Sequence, residues 1–200
     1  PAVMNNLLVI YHEDFLCYEK LKRKIKNITI NMDDFKITTT HDKRGILLRL
    51  STEITFELNI VKEVNLNDIS HSIIFNCFNE YDEIITEIKE KNIPIRIINL
   101  KLAKAINIKG TTFGKGSSET YEYIGRGSKW GNPYSMYENG DDRDEVIRKF
   151  KYDFDFDKFL NVKKEDFIHL KGKKLGCFCK PQACHGDVIA DYLNSLDDGE

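Results

Sequence analysis

The fold is decided by Ile69-Ser70-His71-Ser72-Ile73-Ile74-Phe75-Asn76 and Ile93-Pro94-Ile95-Arg96-Ile97-Ile98-Asn99, two apolar runs on either side of a helical segment. Both runs are rich in branched apolar residues, as buried strands are. Residues 79–91 between them place four apolar side chains on one helical face: Tyr81, Ile84, Ile85 and Ile88. A strand–helix–strand unit of this kind builds a parallel sheet, so the sequence predicts an α/β protein.

The residues upstream repeat the same pattern. The apolar run at 7–11, residues 35–40 and the alternating residues 54–61 predict strands, and helices are predicted for about fourteen residues around 15–25 and for 46–51. We therefore predict a Rossmann-like, mostly parallel sheet in the first half, residues 4–100.

The second half is predicted to be a separate, small α/β domain. Residues 101–120 are rich in Gly, Ser, Thr and Lys, which predicts a basic flexible linker. A mobile phosphate-binding flap is the alternative for this stretch. Strands near 120–124 and 175–178, with helices from Arg143 and up to about residue 195, make residues 121–196 the domain that carries the motifs.

Composition describes a soluble globular chain. Its 200 residues are 41% hydrophobic and 31% charged, with a formal net charge of −2. No apolar run reaches the ~18–20 residues that span a membrane. Five cysteines, odd in number and clustered, argue against a secreted disulfide framework, so we expect a cytoplasmic protein. Abundant Ile, Asn, Lys and Asp suggest an AT-rich genome, as in many large phages.

The densest chemistry lies in Cys177-Phe178-Cys179-Lys180-Pro181-Gln182-Ala183-Cys184-His185-Gly186-Asp187. Cys184, His185 and Asp187 come at the predicted start of the last helix, where free N–H groups favour anions and thiolates. We predict a lowered pKa for Cys184, helped by Lys180, and name Cys184, His185 and Asp187 as catalytic candidates. Cys179 is the candidate resolving thiol. The alternative is a packed loop in which these side chains only cap the helix or pack against their neighbours.

A zinc site is disfavoured by the same spacing. C-x-C on a strand sends its two side chains to opposite faces, and an adjacent Cys-His pair converges poorly on one ion. We predict neither a metal nor a cofactor.

Basic and polar side chains before this motif indicate a binding pocket. Arg126 follows a strand, Asn132 lies in a turn before a proline, and Arg143 begins a helix. Such positions meet at the carboxyl edge of an α/β sheet, where the arginine fork binds phosphate or carboxylate. We predict ligand contacts from Arg126, Asn132, Arg143, Cys179 and Lys180. A structural Arg–Asp network is the competing interpretation.

These motifs also carry a family resemblance. Tyr123-Ile124-Gly125-Arg126, Gly131-Asn132-Pro133, Arg143 and the C-x-C-x-P-x-x-C-H-G-D segment resemble the domain-of-unknown-function family 4326 over residues 121–193. That family occurs mostly in phages and bacteria, and the resemblance implies no particular activity.

The first half is similar to the Rossmann-like, nucleotide-sensing SLOG superfamily. Asp14-Phe15-Leu16-Cys17-Tyr18-Glu19-Lys20-Leu21 is similar to a helix that follows the first strand there. The superfamily's glycine-rich phosphate loop corresponds to residues 38–45, which hold one glycine, so we expect a degenerate scaffold in this half.

The resulting functional hypothesis is a phage-encoded protein that binds, or binds and processes, a nucleotide-like or phosphorylated small molecule in its second half. The competing hypothesis is a non-enzymatic interaction protein whose partner is a host or phage protein or nucleic acid. No membrane partner is expected, and the compartment is then the host cytoplasm.

Overall fold

The computed structural model describes residues 3–137 and 139–200. The described chain divides into two compact units: the first runs to Leu100 and includes Ser195–Glu200, and the second is Lys101–Asn194.

The first unit is built on a five-stranded, all-parallel sheet with the order β3-β2-β1-β4-β5. Its strands are β1 (Asn5–Tyr11), β2 (Phe35–Thr39), β3 (Glu57–Ile60), β4 (His71–Asn76) and β5 (Ile95–Asn99). The two central strands are almost entirely buried, which explains their continuous apolar runs. The predicted Rossmann-like α/β fold is confirmed.

Three helices belong to this sheet: α1 (Tyr18–Thr29), α2 (Ile46–Leu50) and α3 (Asp82–Glu90). Helix α1 begins at Tyr18, three residues after the predicted start, because the chain first makes a turn in which the Phe15 N–H donates to the His12 carbonyl. Ile85 and Ile88 of α3 pack in one cluster with Leu8 and Ile10 of β1. The apolar helical stripe therefore covers a face of the sheet, as its spacing predicts.

The carboxyl edge of the first sheet is filled by its own side chains. The Asp42 carboxylate accepts the Leu47 and Leu48 N–H groups at 3.1 and 2.9 Å and the Tyr11 hydroxyl at 2.6 Å. Nearby, His12 Nε2 lies 2.9 Å from a Glu80 carboxylate oxygen. The amides at the start of α2 thus already hold an internal carboxylate.

The second unit holds a three-stranded parallel sheet with the order β6-β8-β7. Its strands are β6 (Lys104–Asn107), β7 (Tyr121–Tyr123) and β8 (Lys174–Cys177). The prediction of a flexible linker is wrong for residues 104–107, because they pair with β8 and bury Ala105 in the sheet. The short strand has its partner some seventy residues away, which no local pattern reveals.

The described residues of the second unit contain two α-helices, α4 (Arg143–Asp155) and α5 (His185–Ser195), and a 3-10 helix at Lys164–Leu170. Helix α4 begins at the predicted Arg143 and buries Val146, Phe150 and Phe154. The Trp130 ring packs against Phe167, with ring centroids 5.1 Å apart, inside this aromatic core. None of the helices in the described residues is long and apolar enough to cross a membrane.

Candidate functional site

The second sheet brings two loops to one edge. Strands β7 and β8 are parallel neighbours, so the loop after Tyr123 and the loop after Cys177 leave the sheet on the same side. The Ile124 N–H donates to the Gly176 carbonyl and extends the pairing by one residue. This edge therefore carries both the Arg126 loop and the cysteine motif.

Helix α5 starts close against the sheet because residue 186 is glycine. A Cβ at Gly186 would lie 2.7 Å from Ile124 Cδ1 and 3.1 Å from Ala105 Cβ, closer than ordinary contact distance. The Cys184 and His185 side chains are consequently buried at the sheet edge.

His185 is held by the backbone. Its Nε2 lies 2.8 Å from the Ile124 carbonyl oxygen, to which it donates, and its ring meets the edge of Phe150 at 5.1 Å. Nδ1 is then an acceptor and faces the Cys184 sulfur at 3.5 Å. Burial lowers the pKa of His185 below its usual 6.5. The imidazole is neutral at neutral pH and ties α5 to β7.

Asp187 and Lys180 contact each other, and neither lines the pocket described below. Asp187 Oδ1 accepts Lys180 Nζ at 2.8 Å, and Oδ2 accepts the Cys184 N–H at 3.0 Å. A carboxylate that returns to the backbone N–H three residues earlier is half of a capping box. The geometry gives Asp187 the role of fixing the start of α5.

Asn132 joins two segments of the site. Its Nδ2 donates to the Val146 carbonyl at 3.0 Å, and its Oδ1 accepts the Tyr134 N–H at 3.0 Å. The preceding Gly131 allows this loop to approach the Arg126 loop, since a Cβ there would lie 2.8 Å from the Gly125 carbonyl oxygen. The Asn132 amide thereby fixes the loop to α4.

Arg126 and Arg143 make single side-chain contacts at the same opening. Arg126 Nη2 donates to Ser135 Oγ at 3.2 Å, and Arg143 Nη1 donates to the Ala183 carbonyl at 3.2 Å. A guanidinium has five N–H donors, so most of each fork is available to a ligand. The α4 amides offer less, because the Asp142 carboxylate caps the helix through the Glu145 N–H at 2.9 Å.

These side chains line one pocket of about 410 Å³. Its lining comprises Tyr123, Gly125, Arg126, Asn132, Tyr134, Met136, Tyr137, Arg143, Val146, Ile147, Cys177, Phe178, Cys179, Ala183, Cys184 and His185. The sequence analysis named six of these: Arg126, Asn132, Arg143, Cys179, Cys184 and His185. A volume of this order suits a small organic ligand.

Sequence alone did not predict that aromatic residues and the Cys177 thiol line this pocket. Four aromatic side chains line it: Tyr123, Tyr134, Tyr137 and Phe178. Phe178 is 53% exposed. Its position between two cysteines of the motif was a signal in the sequence that it belongs to the site. Cys177, the first cysteine of the motif, also lines the pocket although it is 1% exposed.

The cysteine pair changes the predicted thiol chemistry. The thiols of Cys177 and Cys184 share a hydrogen bond. This bond, with the backbone N–H groups of Cys179 and Lys180, lowers the pKa of Cys177 to about 6 against the effect of burial. The same bond, with burial, raises the pKa of Cys184. The predicted lowering of the Cys184 pKa is therefore wrong: its pKa is raised, and the lowered pKa belongs to Cys177.

A larger pocket of about 660 Å³ lies in the same unit and shares Arg126, Asn132 and Tyr134 with the first. Trp130, Phe150 and Phe167 contribute to its lining. It lacks Arg143 and the cysteines, so the smaller pocket is the better candidate site. Across the described residues, no group of three or more His, Cys, Asp or Glu side chains is placed to hold a metal ion.

The fold and site together define a class: a Rossmann-like parallel α/β unit combined with a small α/β unit that bears an arginine- and aromatic-lined pocket. The comparisons with known proteins make this specific. The chain belongs to the minimal SLOG domain family through residues 4–106, and residues 106–195 match the family described as domain of unknown function (DUF4326). SLOG membership indicates a nucleotide-related function.

The chain is also similar to a curated phage protein. The chain is 40% identical over 74 residues to the "Uncharacterized 12.4 kDa protein in nrdA-td intergenic region" of Enterobacteria phage T4, which covers 36% of this chain and 67% of that protein. No solved structure matches the chain.

Proposed function

We propose that the pocket of the second unit binds a nucleotide-like or phosphorylated small molecule, with Arg126 and Arg143 holding its anionic group. The observation that carries the proposal is the pair of guanidinium groups lining one pocket: among the described residues, each side chain donates one hydrogen bond, and neither bond is to a carboxylate. Hydrogen bonds from arginine to phosphate are charge-assisted and commonly bidentate. Two such forks select an anion with several oxygens.

The walls favour a ligand that also has a flat ring. Tyr137 is 83% exposed and Phe178 53% exposed, so aromatic faces are available for stacking beside the arginines. Stacking on aromatic side chains is worth about 1–3 kcal/mol per base. A phosphate joined to a planar base satisfies both features, and the nucleotide-related SLOG membership agrees with this ligand class.

The remaining motif residues position these groups. Ala183 offers its carbonyl to Arg143, and it stands directly before Cys184, whose N–H is held by Asp187. His185 and Asn132 fix α5 and the Arg126 loop through backbone carbonyls. We assign Asn132, His185 and Asp187 to positioning, and we infer that the protein is phage-encoded and acts in the host cytoplasm.

The test is a titration of the purified chain with nucleoside monophosphates, the matching nucleosides and inorganic phosphate, followed by calorimetry and thermal shift. We expect nucleotides to bind more tightly than nucleosides or phosphate alone. R126Q and R143Q should each weaken binding about 10–100-fold, since a hydrogen bond to a charged group contributes about 1.5–3 kcal/mol.

Two controls locate the effect. R148Q removes an exposed arginine of α4 that pairs with Glu145, outside the pocket, and should leave affinity unchanged. K43Q removes a paired cation from the first unit, where Lys43 binds Glu13, and should also leave affinity unchanged. Unchanged affinity in the R126Q/R143Q double variant, or a loss with K43Q, would refute the assignment to this pocket.

A second candidate function is supported by a separate surface. Tyr152 and Phe156 of the α4 end are 55% and 61% exposed, and their rings lie 4.8 Å apart. Exposed aromatic pairs are common at protein–protein interfaces. An interaction protein would lose its partner with Y152S/F156S and keep it with R126Q, whereas the nucleotide proposal expects the reverse pattern.

A further inference from the structure

Two cysteine side chains meet at the floor of the pocket. Cys177 is the last residue of β8, and Cys184 directly precedes α5. The two thiols are hydrogen-bonded to each other, and both residues are only 1% exposed while lining the pocket. The pair therefore faces a sheltered space and not bulk solvent.

The surroundings of the two sulfurs are unequal. The Cys177 thiol donates to the Ile106 carbonyl at 3.3 Å, and its sulfur accepts the N–H groups of Cys179 and Lys180. Cys184 Sγ receives one backbone N–H, from Gly186 at 3.3 Å. Two N–H groups and a neighbouring S–H favour a thiolate on Cys177, whose pKa is lowered to about 6. Cys184 remains the protonated partner.

We propose that Cys177 and Cys184 are an oxidation site, at which a hydroperoxide converts the pair into a reversible disulfide. The Cys177 thiolate attacks one peroxide oxygen of H₂O₂; the O–O bond breaks, Cys177 becomes a sulfenic acid and hydroxide leaves. The Cys184 sulfur then attacks the Cys177 sulfur, the S–O bond breaks, and the proton of Cys184 and the sulfenic OH leave as water. The two sulfurs are oxidised by two electrons in total, and the peroxide is reduced to water and hydroxide.

Hydrogen peroxide suits this site because it is small enough to enter the pocket. Cys179 is partly exposed and follows Phe178 in the loop, so it is the competing partner for Cys177. The hydrogen bond between Cys177 and Cys184 favours Cys184.

The disulfide would tie the end of β8 to the start of α5. The loop it closes contains Ala183, whose carbonyl contacts Arg143. Oxidation would therefore alter the support of one ligand-binding arginine. This last consequence rests on the proposed function, whereas the disulfide itself does not.

The experiment treats the reduced full-length chain with H₂O₂ at pH 7 and maps its peptides under non-reducing conditions by mass spectrometry. We expect a Cys177–Cys184 cross-link that dithiothreitol reverses, formed at least tenfold faster than oxidation of Cys17 or Cys77. C184S should accumulate a sulfenic acid at Cys177 that dimedone captures, C177S should give no such product at Cys184, and C179S should behave as wild type.

Three results would overturn the proposal: a cross-link from Cys177 to Cys179, capture of the first sulfenic acid at Cys184, or oxidation no faster than at Cys17. If C177S or C184S fails to fold, the peptide maps of the wild type and C179S still decide whether Cys184 or Cys179 is the partner of Cys177. Nucleotide affinity is measured separately on reduced protein, so a failure of ligand binding is distinguishable from a failure of disulfide formation.

Discussion

Both units have a parallel sheet, but the charged groups at the carboxyl edges of the two sheets differ. At the first, the Asp42 carboxylate occupies two amides at the start of α2 and a tyrosine hydroxyl. At the second, Arg126 and Arg143 each make one side-chain contact at the opening of a 410 Å³ pocket. The first edge supplies its own anion, whereas in the part of the chain that the structure describes no carboxylate pairs with the two arginines of the second edge.

This difference shows why family membership and site position are separate questions. The SLOG unit carries the fold with which nucleotide-related function is associated. In this chain, the loop at residues 38–45 has one glycine, and its aspartate sits on the helix amides that a phosphate would use. For this reason we place the proposed ligand contacts in the second unit.

The largest expected effect concerns the backbone of the second edge. In G176A, the new Cβ would lie 2.7 Å from ring carbons of Tyr121, whose hydroxyl is fixed to the Gly114 carbonyl at 2.7 Å. We expect a loss of about 2–3 kcal/mol in the free energy of unfolding, measured by urea denaturation. G116A has open space around its Cβ and should change stability by less than about 0.5 kcal/mol. Equal stabilities would show that the strand packing is looser than described.

The next effect is the anchoring of α5 by His185. H185Q should lower the free energy of unfolding by about 2 kcal/mol, because it disturbs a buried hydrogen bond to the Ile124 carbonyl. H169Q, at an exposed histidine of the same unit, should be neutral.

The wild-type chain should also show a pH dependence from His185. Its folded pKa is depressed by burial, so the unfolded state binds more protons below pH 6.5. The stability contribution is full above pH 6.5 and falls as the pH drops below it. Denaturation at several pH values should show this decline and its reduction in H185Q; an identical profile in both proteins would contradict it.

A smaller expected effect is a difference in thiol reactivity between the cysteines of the two units. Burial raises the pKa of Cys17 in the first unit, whereas the pKa of Cys177 is lowered to about 6. With the small reagent methyl methanethiosulfonate at pH 7, Cys177 should react at least tenfold faster than Cys17 or Cys77. Time-resolved mass spectrometry gives the rates, and Cys184 reacting first would restore the assignment made from the sequence.

The smallest effect tests the first edge. D42N keeps an acceptor but removes the charge, and we expect a cost of about 0.5–1 kcal/mol from the weaker cap of α2. Nucleotide affinity should change less than twofold. A marked gain in affinity on removing this negative charge would place the anion site in the first unit and reverse the comparison.

The sequence predicted most elements of the fold because their apolar patterns are local. Strands β1 and β4 were recognised from continuous runs of Ile, Leu, Val and Phe, and α3 from its apolar stripe. Strand β6 was missed because Lys104-Ala-Ile-Asn is short, lies beside a Gly- and Ser-rich stretch, and is stabilised by pairing with β8.

The sequence predicted which residues lie together at the site, but it did not predict their hydrogen-bond partners. Loop and helix-start positions indicated that Arg126, Asn132, Arg143 and His185 would lie together, and all four line one pocket. Whether an Asn amide binds a ligand or a backbone carbonyl depends on tertiary distance, as the Val146 contact illustrates. The thiol partner was misjudged for the same reason: the sequence alone does not say that Cys184 meets Cys177.

Trp130 gives the molecule a built-in optical probe. It is the single tryptophan of the chain, is 5% exposed, packs on Phe167 and stands four residues after Arg126. Excitation at the red edge of the protein absorption band therefore reads the environment of the second unit alone, without a label. A shift of its emission on adding a nucleotide, or a separate emission transition during unfolding, would distinguish events at this pocket from those in the tryptophan-free SLOG unit.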